Sequence, residues 1–364
     1  MKNSKFGVPL ALLAATALSL TGCAANEGNP AATTTAGGTA LSGTLAGQGA
    51  TSMGSAQKVW IAEFQTKNPG VTVNYNPAGS GAGREAFIAG AVQFAGSDRA
   101  FKDEEMGAGK FAKCATTSNA LNLPVYISPI AVIFNIDGVK ELKLSADTVA
   151  AIFAGQITTW NDPKIAATNP GVTLPSAAIT AVHRSDESGT TENFTDYLAQ
   201  TASTVWTEKA SGTWPAKFAG EAAQGTSGVV GAVKNGKNTI GYADLGQATG
   251  LGLVSVGVGS EFLAPTAAGA AKMVEASPKV ANRAANDLAL KLDRKAAGAY
   301  PIALVAYALV CEQYKDAKDA TLVKAYIGYI ASADGQKAAQ EKAGAAALST
   351  TLSASVKTAV DAIK

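Results

Sequence analysis

The sequence predicts an α/β protein with two lobes whose sheets are covered by helices. Two observations support this fold class. Segments with strand-like alternation or apolar content are followed repeatedly by segments with helical spacing, and this alternation typically builds sheets flanked by helices. The chain has 364 residues, which is more than one hydrophobic core usually spans, so its length favours two domains.

The first predicted elements lie between residues 43 and 75. Residues 43–46 form a short strand, and residues 71–75 form a second one with clear alternation. Between them, helical spacing is set by four apolar residues: Met53, Ala56, Trp60 and Phe64. The helix ends at Asn68-Pro69-Gly70, because proline and glycine break helices.

Later elements follow the same alternation. A helix over residues 85–92 leads into an extended segment, residues 93–96, that ends next to Asp98. Ser145 is a plausible N-cap for a helix that Gly155 stops. Strands are predicted at residues 179–182 and 240–243, a helix at 190–198, and a buried apolar strand at 302–311.

The first 40 residues predict export and anchoring. Two lysines precede an apolar run, residues 6–20, that is too short to span a bilayer but suits a signal peptide over residues 1–22. The following tetrapeptide, Leu20-Thr21-Gly22-Cys23, has the pattern of a lipobox; an ordinary signal peptide with an incidental cysteine fits less well. We expect acylation of Cys23 and a lipid anchor at the extracytoplasmic face of the cell membrane. Residues 23–40 predict a flexible tether.

The charge of the mature chain is balanced. Without residues 1–22, 28 basic and 28 acidic residues remain. A neutral chain without basic clusters offers no electrostatic footprint for nucleic acid or for an anionic membrane face. Any anion site must therefore be built locally.

Once Cys23 is assigned to the lipid, Cys114 and Cys311 are the remaining cysteines. In an oxidising compartment we expect them to be bonded, although two buried free thiols fit the sequence as well. A bond that closes a loop of roughly 200 residues would stabilise the fold by roughly 4 to 5 kcal/mol in the chain-entropy description.

Three stretches share one arrangement of a glycine turn, hydroxyl side chains and a helix start. They are GQGATSMGSAQ (47–57), NPAGSGAGREA (76–86) and HRSDESGTTENF (183–194). At a helix N-terminus several backbone N–H groups lack partners and the positive end of the dipole points outward, which suits an anion. One such turn means little, because Ser and Thr are common N-caps. Three of them, with an arginine and a carboxylate in the same turns, predict an anion-binding site.

These motifs resemble those of the phosphate-binding lipoproteins that serve the high-affinity phosphate ABC transporter. GQGATS, AGSG, AGSD and RSDESGTT stand in the same order and at similar separations, and the resemblance extends from Leu41 over nearly the whole remaining chain. It implies a two-lobed periplasmic-binding-protein fold of type II, each lobe a mixed sheet flanked by helices, which closes by hinge motion. It also implies inorganic phosphate as ligand, the permease and ATPase of an ABC transporter as partners, a monomer, and no cofactor, metal or catalytic residue.

The resemblance also implies the site residues. By position, the phosphate-binding residues are Thr51, Ser52, Ser80, Asp98, Arg184, Ser188, Gly189 and Thr190. Asp186 would hold the Arg184 guanidinium without touching the ligand. Independently of the resemblance, the donor fork of arginine suits phosphate oxygens, and hydroxyl and amide groups fill the remaining lone pairs without adding charge.

Asp98 predicts which anion is bound. A carboxylate repels an anion unless the ligand has a proton to donate; phosphate carries one near neutral pH and sulfate does not. A site with many donors and one fixed acceptor therefore discriminates against sulfate. Taken alone, Asp98 would more often be a helix cap or a surface ion pair with Arg99 or Lys102.

The sequence departs from the family pattern at two positions. Ser52 stands where relatives often have an aromatic residue, and Glu187 stands where a glycine is frequent. We expect Glu187 to face solvent, because a carboxylate turned towards the anion would weaken binding. Arg84 is a tempting second cation, but a solvated helix face is the better interpretation.

Two other kinds of function remain open. A phosphate-ester hydrolase could use Ser188 or Ser80 with His183 and Asp98, but His183 is the only histidine and a packed structural role fits it better. With one histidine and no ligand cluster, a zinc site is not expected. A binder of sulfate or molybdate would share the fold but would not need Asp98.

The domain organisation follows from the fold. We expect residues 41–125 and 300–364 to form lobe I, and residues 126–299 to form lobe II. The segments NLPVYISPI (122–130) and YPIALVAY (300–307) mix proline with β-favouring residues, so we expect them to be the hinge crossings. Cys114 and Cys311 would then lie in one lobe.

Overall fold

The computed structural model describes residues 40–364, in which strands and helices alternate along the chain. The strands are β1 (Gly43–Gly49), β2 (Val71–Asn76), β3 (Phe94–Ser97), β4 (Ala120–Asn135), β5 (Glu141–Leu144), β6 (Thr180–Arg184), β7 (Glu221–Ala223), β8 (Thr239–Asp244), β9 (Gly252–Val258), β10 (Glu261–Leu263) and β11 (Ala303–Cys311). The helices are α1 (Gly54–Lys67), α2 (Ser80–Ile88), α3 (Ala146–Phe153), α4 (Pro163–Thr168), α5 (Gly189–Thr201), α6 (Gly225–Asn235), α7 (Ala267–Ala276), α8 (Ala317–Ala331), α9 (Ala333–Ala343) and α10 (Thr350–Asp361). The predicted signal peptide, Cys23 and nearly all of the predicted tether lie outside the described residues.

The strands form one mixed, curled sheet. The strand order is β2-β1-β3-β11-β4-β8-β6-β7, and β9 pairs with β4, β5 and β10. β1 is parallel to β2 and β3, as strand-helix alternation predicts. β11 is antiparallel to both β3 and β4, because the chain returns to the first part of the sheet after building the second.

Strand β4 joins the two lobes. Its first part, from Ala120 to Pro129, pairs with β11, and its last part, from Ile130 to Asn135, pairs with β8. We call the elements around β1–β3 and β11 the first lobe and those around β6 and β8 the second lobe. The lobe boundaries at 125/126 and 299/300 stay predictions.

The core runs through both central strands. Every residue of β11 is buried, which confirms the buried strand predicted at 302–311, and 15 of the 16 residues of β4 are buried with it. A run this apolar is typical of a strand covered on both faces. Cys114 and Cys311 are joined by a disulfide bond, as expected. No helix within residues 40–364 is long and apolar enough to cross a membrane.

Helix α2 begins at Ser80, five residues before the predicted start at residue 85. The sequence misleads here because glycines disfavour helix interiors by propensity. Packing explains the difference: a Cβ on Gly83 would lie 2.5 Å from Gly49 Cα. The first turn of α2 therefore lies directly against the end of β1, a contact that only glycine allows.

Candidate anion-binding site

The three predicted turns converge on Asp98. β1 and β3 are parallel, so the turn after β1, which holds Thr51 and Ser52, lies at the same sheet edge as Asp98. Ser52 Oγ donates to Asp98 Oδ1 over 2.5 Å, and Ser80 Oγ accepts from the Asp98 backbone N–H over 3.1 Å. From the second lobe, Thr190 Oγ1 donates to Asp98 Oδ2 over 3.0 Å.

Asp98 is buried rather than paired at the surface. Only 2 % of it is exposed. Burial raises its pKa, while hydrogen bonds from Ser52 and Thr190 and the charges of Arg184 and Arg84 oppose this rise. The carboxylate therefore sits among hydrogen-bond donors and is stabilised by them.

Arg184 supplies a buried cation that is already oriented. It lies at the end of β6 and is 3 % exposed. Its Nε donates to Asp186 Oδ1 over 2.7 Å, and its Nη2 bonds the other carboxylate oxygen. Asp186 also accepts from the Gly225 N–H, at 3.0 Å. Burial acts to raise the pKa of Asp186, but the Arg184 contact lowers it overall, so the carboxylate stays charged and fixes the guanidinium.

The start of α5 completes the arrangement. Ser188 is the N-cap, and its Oγ accepts from the Thr191 N–H at 3.2 Å. Gly189 packs so closely that a Cβ there would lie 2.6 Å from Asp98 Cβ and 2.7 Å from Ser80 Oγ. The start of α5 therefore approaches the first lobe without an intervening side chain.

Two predictions from the sequence are wrong. Arg84 does not lie on a solvated helix face: it is 4 % exposed, and its Nη1 donates to Ser97 Oγ at 2.9 Å. Glu187 does not simply face solvent, because its Oε1 accepts from Arg84 Nη2 at 2.6 Å. The sequence gives no sign of these contacts, which hold Arg84 within the first lobe and pair it with Glu187 across the lobes.

Three further residues were missed by sequence reasoning. Thr226 Oγ1 lies 2.9 Å from Thr51 Oγ1, and Gln247 Nε2 donates to the Thr51 carbonyl at 3.0 Å. Asn193 Nδ2 donates to the carbonyls of Asp98 and Gly189. Asn193 follows Gly189 by one helical turn, a spacing that could have indicated it; the other two carry no local signal.

A cavity of about 400 Å³ lies beside these residues, between the turn after β1 and the start of α6. It is lined mainly by small and polar side chains, among them Thr51, Ser55, Lys58, Tyr75, Asp186 and Gln247. Thr51 and Asp186 belong to both the cavity and the cluster around Asp98, so the cavity adjoins the candidate site.

His183 is not hydrogen-bonded to Ser80, Ser188 or Asp98, the residues that a hydrolase would use with it. His183 Nδ1 lies 3.0 Å from the Arg184 carbonyl oxygen, and its ring stacks on Trp214 with centroids 4.9 Å apart. This is the packed structural role expected for it. Within residues 40–364, no group of three or more His, Cys, Asp or Glu side chains is placed to hold a metal ion.

Comparison with known proteins adds independent information. A family model described as "PBP superfamily domain" matches residues 34–334. Phosphate-binding protein PstS 3 of Mycobacterium tuberculosis is 36 % identical over 344 residues, covering 90 % of each chain. Phosphate-binding protein PstS of Methanocaldococcus jannaschii is 33 % identical over 299 residues, covering 76 % of this chain and 75 % of its own.

Solved structures agree in fold. The high-affinity periplasmic phosphate-binding protein PfluDING, solved with bound phosphate, matches with a TM-score of 0.69 at 23 % identity and covers 87 % of this chain and 93 % of its own. A phosphate-binding protein from Stenotrophomonas maltophilia matches with a TM-score of 0.65 at 19 % identity, covering 87 % and 94 %. The two-lobed α/β fold is that of periplasmic binding proteins, and the chain belongs to the phosphate-binding protein family of the PBP superfamily.

Proposed function

We propose that this protein captures inorganic phosphate between its two lobes and delivers it to the permease and ATPase of a phosphate ABC transporter. The names of its relatives support this ligand. The cluster around Asp98 supplies the chemistry, since donors from both lobes surround one buried acceptor. We expect the protein to act as a monomer without a cofactor.

The observation that carries the proposal is the burial of Asp98 among donors. Each of its carboxylate oxygens accepts one hydrogen bond from a protein hydroxyl and keeps a further lone pair. A protonated phosphate oxygen can donate to that lone pair. Sulfate would place an unprotonated oxygen against it, which leaves two acceptors facing each other.

The remaining residues bind the other phosphate oxygens. The guanidinium of Arg184, held by Asp186, binds as a charged fork. The hydroxyl and backbone N–H groups of five residues bind without adding charge: Thr51, Ser52, Ser80, Ser188 and Thr190. Gly189 contributes its N–H and allows the close approach of α5.

The location and the domain arrangement are part of the proposal. Residues 1–22 export the chain, Cys23 anchors it by acyl chains at the extracytoplasmic face, and residues 23–40 tether it. Lobe I comprises residues 41–125 and 300–364 and lobe II residues 126–299, with hinge crossings in β4 and β11. The Cys114–Cys311 disulfide supports an oxidising compartment.

Calorimetric titration of the mature protein with phosphate, sulfate and a phosphate monoester tests the proposal. We expect a saturating heat with phosphate and none with sulfate at the same concentrations. Binding of sulfate in preference would favour the alternative of another oxyanion binder. Heat from the monoester alone, with release of inorganic phosphate, would favour a hydrolase.

A further inference from the structure

Ion pairs link the two lobes along one side of the candidate site. The first lobe supplies the cations Arg84, Arg99 and Lys102, and the second lobe supplies the carboxylates Glu187 and Glu192. We call these five residues the closure seam. Its charges are sorted by lobe, so bringing the lobes together brings opposite charges together.

The Arg84–Glu187 pair can form with little loss of side-chain conformational entropy at Arg84. Arg84 is held within its own lobe by Ser97 and has a second carboxylate, Glu105, at 3.7 Å. Its side chain is only 5 % exposed, whereas that of Glu187 is 35 % exposed. Arg84 is therefore already fixed, and Glu187 is the partner that arrives.

Glycines make room for the Glu187 carboxylate on both sides. A Cβ on Gly81 would lie 2.0 Å from Glu187 Oε2, and a Cβ on Gly212 would lie 2.4 Å from Oε1. Gly81 is in the first turn of α2, where the helix dipole favours negative charge. The carboxylate occupies this position as the structure shows it, and a side chain on either glycine would force Glu187 to move.

A second contact repeats the pattern. Arg99 Nε lies 2.8 Å from Glu192 Oε2, and Lys102 Nζ lies 3.5 Å from Glu192 Oε1. Arg99 also bonds Glu105 within the first lobe, through both Nη atoms. Of the three cations, Arg84 and Arg99 thus both contact the same first-lobe carboxylate, Glu105.

We propose that the closure seam is a latch that stabilises the closed arrangement and sets how long phosphate stays bound; this rests on the proposed function. The opposite charges come into contact only when the lobes meet, and the two arginine side chains are then largely buried, so their weakly screened attraction biases the equilibrium towards closure. The competing interpretation is that Glu187 is simply an extra negative charge beside the anion. The two interpretations predict opposite signs: loss of the charge weakens binding if Glu187 is a latch and tightens it if Glu187 repels the ligand.

The test measures phosphate association and dissociation rates by stopped flow for Glu187→Gln, Glu192→Gln and Arg84→Met. A matched control is Asp319→Asn, which removes the charge of Asp319 from the partly buried Lys113–Asp319 pair, at 3.1 Å, whose two partners both lie in the first lobe. We expect each seam variant to dissociate about 10-fold faster with an unchanged or slightly faster association rate, and the control to behave like the unaltered protein.

Two further readouts separate a latch from a structural role. The double variant of Arg84→Met and Glu187→Gln should lose no more than the stronger single variant, because both remove one pair. Added salt should speed dissociation from the unaltered protein more than from the variants. Unchanged dissociation of Glu187→Gln, or tighter binding, would overturn the latch alone. Failure of the unaltered protein to bind phosphate would overturn the proposed function and the latch with it.

Discussion

Replacement of Asp98 by asparagine tests how the site recognises its ligand. The substitution keeps the shape of the side chain but removes its charge and adds a donor. In the unaltered protein a sulfate oxygen would meet the carboxylate at about 3 Å, and with an effective dielectric constant of about 20 two unit charges at that distance repel by about 5.5 kcal/mol. That energy corresponds to roughly four orders of magnitude in affinity.

The measured effect will be smaller, because donors already surround the carboxylate. Ser52 and Thr190 bond it, and the charges of Arg184 and Arg84 act on it. We therefore expect Asp98→Asn to reduce the preference for phosphate over sulfate by at least about 100-fold. Competition calorimetry, with phosphate displacing sulfate and the reverse, measures this ratio directly. Equal ratios in the two proteins would refute recognition of the ligand's proton.

The pH dependence provides a second check on the same reasoning. Burial raises the pKa of Asp98, so protonation begins above the ordinary range of an aspartate. Once protonated, the side chain can donate to sulfate. Sulfate binding by the unaltered protein should therefore strengthen as the pH falls, whereas in Asp98→Asn it should stay flat over the same range.

Three further predictions concern closure and stability. Gly189→Ala should weaken phosphate binding at least about 10-fold by calorimetry, because its Cβ would enter the opposite lobe, whereas Gly54→Ala, with no atom within 4 Å of the added Cβ, should not. Burial raises the pKa of Asp244 to about 7, so between about pH 4 and 7 the folded protein holds a proton that the unfolded chain releases. The free energy of unfolding should therefore fall as the pH rises through this range, by up to about 1.4 kcal/mol per pH unit. Asp244→Asn should remove that slope in urea titrations. Replacing Cys114 and Cys311 by alanine should lower the unfolding free energy by roughly 4 kcal/mol, and an unchanged urea midpoint would contradict this.

The sequence predicts the strands, turns and helix caps that depend on residues close together in the chain. The strands that lead into the three turns, the N-cap at Ser145 and the buried strand β11 all follow from spacing and turn chemistry within a few residues. The start of α2 does not, because close packing of Gly83 on Gly49 overrides helix propensity.

Contacts between lobes are what the sequence could not predict. Arg84 and Glu187 are 103 positions apart, and Thr51 and Thr226 are 175 apart. Each side chain taken alone fits a solvated surface, which is the commoner fate of such residues. Only the closed arrangement shows that they are partners, and so the surface interpretation of Arg84 and Glu187 was wrong.

Because the charges of the site are paired, hydrogen-bond donors rather than a net positive charge have to hold the anion. Arg184 is paired with Asp186 and Arg84 with Glu187, so neither arginine carries an unpaired charge beside Asp98. An anion would therefore approach arginines whose charges are already matched by carboxylates. Binding becomes favourable only if N–H and O–H dipoles satisfy the ligand's oxygens and the ligand returns one proton to Asp98. Because short-range hydrogen bonds dominate over long-range attraction, equilibrium selectivity between phosphate and sulfate should depend only weakly on ionic strength.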